Sequence, residues 1–221
     1  MGPFERQADK AGRMKTLTKV LILWAVALGI GSIWMFDYSS RPGPSAAAPS
    51  ELPFIVNDQT LRPRLLVFLH PYCPCSRATL SELARLQAGK PRELDIRAFV
   101  YRPADKTTEW AMTDIWQKAG DIEGVKVSIV SDDDLHGYGA LTSGQVMLYD
   151  AEQKLVFSGG ITHGRGHEGD SAGRESIERF LTSGETTVSE TPVFGCIIRS
   201  SEQNDLPADS IYSNQAPLAP F

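Results

Sequence analysis

The chain has 221 residues and a formal net charge of −5, with 42% hydrophobic and 22% charged side chains. That is the balance of a globular protein with one sizeable domain plus appendages. Residues 1–19 hold Arg6, Lys10, Arg13, Lys15 and Lys19 against Glu5 and Asp9, a local +3 that leaves −8 for the rest. This excludes a large basic surface for nucleic acid.

Val20 to Phe36 is a run of 17 residues without a charge. As a helix it spans about 26 Å, enough for a hydrocarbon core. Trp34 and Tyr38 suit the far interface, and the basic residues come first. The positive-inside rule then predicts a basic cytoplasmic tail (1–19) and a transmembrane anchor (20–36), with everything beyond on the outer face. The expectation is a single-pass protein of the inner membrane with its domain in the periplasm. Ala46-Ala47-Ala48 offers the competing reading, a cleaved signal peptide. Under either reading the domain is exported, where disulfides persist, and its three cysteines are an odd count.

Residues 37–60 are rich in Pro, Ser and Ala and read as a linker. The domain is expected over 61–199. Arg64 to Leu69 is an apolar run of the kind buried on both sheet faces. A helix follows from Ser76, with Leu80, Leu83, Ala84 and Gln87 on one face and Gly89 and Pro91 as its stop. Leu94 to Tyr101 alternates as a strand. Thr108 caps a second helix with Ala111, Ile115 and Ala119 in register and Gly120 at its end. Val125 to Val130 is a third strand. Val146–Tyr149 and Leu155–Phe157 flank a turn and read as a hairpin, and Ser171 to Leu181 is the last helix. Residues 200–221 are polar and Pro-containing and read as a loosely ordered tail. The order β-α-β-α-β-β-β-α predicts a mixed α/β sheet flanked by helices.

The chemistry gathers at Val67-Phe-Leu-His-Pro-Tyr-Cys-Pro-Cys-Ser76. An apolar strand stops at a proline, and Cys73 and Cys75 open a helix. A helix N-terminus supplies partial positive charge and free N–H groups, which lower a thiol pKa. Two thiols one residue apart suit redox exchange or a soft metal. A disulfide between them would close a very small, strained ring. Cys196 lies in Thr-Pro-Val-Phe-Gly-Cys, where Val193, Phe194, Ile197 and Ile198 predict packing on the domain. It is a candidate third partner, or an inert buried thiol. Three other matches are set aside. Gly164-x-Gly166-x-x-Gly169 lacks a following βαβ unit. Gly169-Asp-Ser-Ala-Gly173 lacks the serine-protease framework, and Ser171 is better read as a helix N-cap. Asp132-Asp-Asp134 reads as a solvated turn.

With these elements in place, residues 61–182 resemble the thioredoxin-like superfamily, by order of elements and by the cysteine motif between first strand and helix. The membrane-tethered exported TlpA, ResA and SCO types are the nearest in layout. HPYCPCS, SGGIT-x-x-RGHEGD and TPVFGC together also resemble the bacterial RedB group. The resemblance implies a membrane-anchored extracytoplasmic thiol-disulfide oxidoreductase. Its partners would be a protein thiol or disulfide substrate and a membrane or exported reductant, and it would need no cofactor. Cys73 takes the nucleophile's place, with Cys75 or Cys196 as the resolving thiol. Tyr72 stands where the family has Trp, and Ser76 fills the slot of the second family cysteine. Gly144, in Leu141-Thr-Ser-Gly-Gln145, falls where the family places a cis-proline, so Tyr72, Ser143 and Gly144 are the expected substrate contacts. The missing proline and the loop histidines leave a second reading. A copper- or zinc-binding protein similar to the SCO type would use Cys73, Cys75 and His167, with His163 or Cys196 as a further ligand.

Overall fold

The computed structural model describes residues 3–53, 62–89 and 94–198. The chain divides into two units, an N-terminal helix and the domain that begins at Arg41.

Helix α1 (Pro3–Ser40) runs unbroken through the basic stretch and the apolar run. Its part from Met14 to Ser40 is long and apolar enough to cross a membrane, with an 18-residue stretch of mean hydropathy 1.9. No proline or glycine pair interrupts the run, and Gly29 and Gly31 are tolerated within it.

The domain is built on a five-stranded sheet in the order β3-β2-β1-β4-β5. The strands are β1 (Arg64–Leu69), β2 (Asp95–Tyr101), β3 (Val125–Val130), β4 (Gln145–Tyr149) and β5 (Leu155–Gly160). β1, β2 and β3 are parallel neighbours; β4 runs antiparallel to β1, and β5 antiparallel to β4. β1 is buried at every position because it sits in the centre with both faces covered. Its alternation divides the core. Leu65, Val67 and Leu69 pack with Leu80, Leu83 and Ile115 on one face; Leu66 and Phe68 pack with Phe99, Tyr138 and Tyr149 on the other. Burying each such side chain contributes roughly 1.5–3 kcal/mol.

The helices are α2 (Pro74–Gly89), α3 (Thr108–Ala111), α4 (Asp114–Asp121), α5 (Asp132–Tyr138) and α6 (Ala172–Ser183). Three expectations are corrected. The helix predicted from Thr108 is broken in two, because the Thr113 hydroxyl accepts the Ile115 N–H and caps a fresh start at Asp114. The acidic run at 132–134 opens α5 instead of forming a turn. The Asp134 carboxylate takes both the N–H and the hydroxyl of Ser131, while Leu135 and Tyr138, three apart, are buried.

The third correction concerns the linker expected over 37–60. Its first residues belong to α1, and 41–53 lie on the domain. The Leu155 N–H donates to Ser50 O (2.9 Å), the Leu52 N–H to Gln153 O (3.0 Å) and the Tyr149 hydroxyl to Pro49 O (3.1 Å). The segment satisfies backbone groups of the β4–β5 hairpin that would otherwise face water, and buries Leu52. The rest of that expected linker, 54–60, and the tail expected over 200–221 lie outside the described residues.

Candidate functional site

Cys73 follows the end of β1 by four residues and directly precedes α2, whose first residue is Pro74. Proline suits a first helical position, since its missing N–H has no intrahelical partner to lose. The turn is tied by the Cys73 N–H to His70 O (3.2 Å) and by the Ser76 N–H to Cys73 O (3.0 Å). Ser76, fully buried, staples the turn to the loop before β4. Its hydroxyl donates to His70 O (2.9 Å) and lies 2.7 Å from the Ser143 hydroxyl, and both hydroxyls accept the His70 N–H.

The sulfur of Cys73 lies 2.9 Å from that of Cys196, 123 positions later in the chain. All three cysteines are free thiols; Cys73 and Cys75 are buried and Cys196 is half-buried. Cys196 reaches the site on a C-terminal arm, residues 185–198, that returns from α6 along β5. The arm is held by Ser158 N–H to Ser189 O (3.0 Å), Gly43 N–H to Val193 O (2.7 Å), Ser143 N–H to Cys196 O (2.8 Å) and Ile198 N–H to Leu141 O (2.9 Å). Gly195 is required where the arm meets the loop, because a Cβ there would overlap the Ser143 carbonyl.

The electrostatics single out one sulfur. The Cys196 and Cys75 thiols, and behind them the Cys196 and Ser76 amides, stabilise the Cys73 thiolate against the penalty of burial and hold its pKa far below the ordinary thiol range. The same contacts push Cys75 far up, Cys196 contributing most and Cys73 next, so Cys75 stays protonated. Cys196 is raised too, chiefly by its contact with Cys73 and by burial, while the Cys75 thiol and, more weakly, the Arg165 charge pull it the other way.

An aromatic rim flanks the thiols. Tyr72 is 59% exposed. Its ring lies 4.9 Å from that of Trp110, and its hydroxyl donates to Trp110 O at 3.1 Å. His70 stands against Trp110, Tyr101 and Tyr72. Burial lowers the His70 pKa, the Cys73 thiolate opposing it, and its Nδ1 accepts the Tyr72 N–H. Trp110 was not singled out from the sequence. It comes from the helix segment α3, and only the break at Thr113 and the bond from Thr113 to Pro71 O bring that segment to the cysteine loop.

Cys73, Cys75 and Cys196 thus converge, and Tyr72 is open beside them. Ser143 and Gly144 are both buried, and the Ser143 N–H is bound to Cys196 O. Gly144 adopts φ +90° with its N–H on Phe68 O (2.7 Å), and a Cβ there would press on the Thr79 hydroxyl. The chain's own arm occupies the face expected to receive substrate.

His167 is exposed and paired with His163, their rings 5.5 Å apart. The glycine-rich loop that carries them is fastened to α2 through Glu82, whose fully buried carboxylate accepts the Gly169 N–H (2.7 Å) and faces Arg85 and Arg174. Among the described residues no group of three His, Cys, Asp or Glu side chains is placed to hold a metal ion. Cys73, Cys75 and His167 are not gathered into one group in this structure.

A central parallel β-α-β pair, an antiparallel hairpin on the other side and a cysteine directly before α2 define a thioredoxin-like fold. No protein-family model and no curated protein matches the chain. Solved structures do. An uncharacterized conserved protein from Geobacillus kaustophilus is 20% identical, with 73% of this chain and 94% of that one covered and a TM-score of 0.51. A hypothetical protein from Sinorhizobium meliloti 1021 is 19% identical, with 73% and 95% covered and a TM-score of 0.51. A secreted Mycobacterium tuberculosis disulfide oxidoreductase homologous to E. coli DsbE matches more loosely, at 15% identity, 57% and 84% coverage and a TM-score of 0.38. At these identities the likeness is one of fold.

Proposed function

We propose that this chain is a membrane-tethered, extracytoplasmic thiol-disulfide oxidoreductase that acts on a protein partner, with Cys73 as nucleophile and Cys196 as resolving thiol. The observation that carries the reading is the 2.9 Å approach of the two sulfurs. Exchange proceeds by thiolate attack on a disulfide through a mixed disulfide. The Cys73 thiolate attacks one sulfur of the partner's disulfide, that bond breaks, and one partner thiolate leaves. Cys196 then attacks the Cys73 sulfur and expels the second partner thiolate. The partner has gained two electrons and takes up two protons, one of them from Cys196. The chain is left with a Cys73–Cys196 disulfide, which an exported or membrane dithiol reductant returns to two thiols.

Cys196 is favoured over Cys75 as the resolving thiol because a bridge from Cys73 to Cys75 would span a single residue. The apolar length of α1 and the basic residues before it support the tether and an outward-facing domain. The RedB-like motifs fit the same reading. The test is mild oxidation of the full-length chain in detergent, followed by peptide mapping and insulin-reduction assays. A Cys73–Cys196 disulfide, with activity lost in Cys73→Ser, is expected. Oxidation that yields no such bond, or activity that survives Cys73→Ser, overturns the proposal.

A further inference from the structure

We infer that Arg165 is a positioning residue that sets how fast the resolving thiol attacks; this rests on the exchange reading above and deepens it. Arg165 belongs to the glycine-rich loop between β5 and α6, far in sequence from either sulfur. Its Nη1 donates to Gly195 O at 2.6 Å, the carbonyl of the residue just before Cys196. Its Nε donates to Arg41 O at 3.1 Å. One planar guanidinium thus joins the resolving arm to the first residue after α1, using two donors in a fixed fork.

Three features make this contact bear on chemistry as well as packing. First, the peptide that Arg165 grips is the one that carries Cys196. The next peptide is pinned by Ser143 N–H to Cys196 O, so Cys196 is held from both flanks, and Gly195 is wedged against Ser143. Rotation of that peptide would swing the Cys196 sulfur away from Cys73. Second, Cys73 is only 2% exposed and lies beneath the arm, so a partner that bonds to Cys73 must displace the arm and Cys196 must then return to attack. The groups that restore the arm govern that return. Third, the guanidinium charge acts on Cys196 itself and favours its thiolate, the form that attacks. A lysine retains the charge and one donor; an alanine retains neither.

The experiment uses the full-length chain in detergent, carrying Cys75→Ser, with 5,5′-dithiobis(2-nitrobenzoate) as a small disulfide. Attack by Cys73 releases one thionitrobenzoate, and attack of Cys196 on the resulting mixed disulfide releases the second, both read at one visible wavelength. The parent shows two phases, and Cys196→Ser only the first. Loss of this charge-assisted hydrogen bond in Arg165→Ala should slow the second phase by roughly tenfold or more. The first phase should be no slower than that of the parent, because a looser arm uncovers Cys73, and Arg165→Lys should recover much of the loss in the second phase. Thermal melting of each variant separates this from simple loss of fold. An unchanged second phase in a folded Arg165→Ala chain, or slowing that Lys does not relieve at all, overturns the assignment of Arg165. A single phase in the parent would instead overturn the Cys73–Cys196 reading beneath it.

Discussion

Closing Cys73 onto Cys196 should stabilise the fold against heat by an amount that the chain separation sets. The two thiols are 123 positions apart and 2.9 Å apart in space. A bridge between them removes the loop-closure entropy of that long segment from the unfolded ensemble, about 5 kcal/mol at 25 °C in the chain-entropy model. For a domain of this size each kcal/mol raises the melting temperature by about 2–4 °C, so oxidation should raise it by roughly 10–20 °C at most. By the same cycle, folding makes the bond about 100 mV harder to reduce than in the unfolded chain, since 30 mV corresponds to about 1.4 kcal/mol. The assay is circular dichroism melting of the Cys75→Ser chain, oxidised and reduced, with Cys196→Ser as the control that shows no redox dependence. Mapping would confirm the bond in the oxidised sample. A confirmed bond with melting temperatures within about 2 °C of each other would refute the reasoning, because strain would then consume the entropic gain and the two sulfurs would not be natively juxtaposed.

Further outcomes follow from the same contacts. Replacing Cys196 with Ala removes the chief group that lowers the Cys73 pKa, so the midpoint of Cys73 alkylation by iodoacetamide should move to higher pH; an unmoved midpoint would assign the effect to the helix instead. Gly195→Ala puts a methyl group into the Ser143 carbonyl and should cost about 1–3 kcal/mol, while abolishing the Cys73–Cys196 bond on mild oxidation. Glu82→Ala leaves the Gly169 N–H without its acceptor and takes one carboxylate from Arg85 and Arg174, which keep Glu168, Asp170 and Glu178, so denaturant titration should show a loss of about 1–3 kcal/mol. Burial pushes the Asp95 carboxyl up, but Lys126, Arg97 and Arg64 outweigh it and hold the pKa below the usual carboxylate range. Its folded pKa is therefore depressed: the contribution is full at neutral pH and drains away as pH falls below about 4 through the folded value. Urea midpoints of Asp95→Asn should show a shallower acid slope than those of the parent.

Much of the fold was legible because its signals are local. The RLLVFL run is β1 at the expected bounds, since a central strand needs apolar residues on both faces. Ser171 caps α6 as its residue type predicts, its hydroxyl accepting the Arg174 N–H. The Cys-Pro-Cys motif at a strand–helix junction marked Cys73 for the same reason. What was illegible depends on distance in the chain. Nothing in the composition of 41–53 says that its carbonyls will be claimed by the hairpin, or that Arg165 will find Gly195. The approach of Cys196 to Cys73 could be posed from sequence but not decided, because a return path from α6 depends on which strand edge lies open. The loop at Ser143 and Gly144 shows the same limit: its place beside the cysteines was legible, but not that the chain's own arm would bind it.

The long separation of the two sulfurs also has a meaning in time. A ribosome adds about 5–20 residues per second, so Cys73 is made roughly 6–25 s before Cys196 exists. Through that interval the nearest thiol is Cys75, two positions on. The pair is assembled only when the arm, described here as far as Ile198, has been synthesised and laid against the loop before β4. On the proposed exchange, competence then comes late in synthesis, and a chain stalled or clipped ahead of Gly195 would lack the resolving thiol proposed for it.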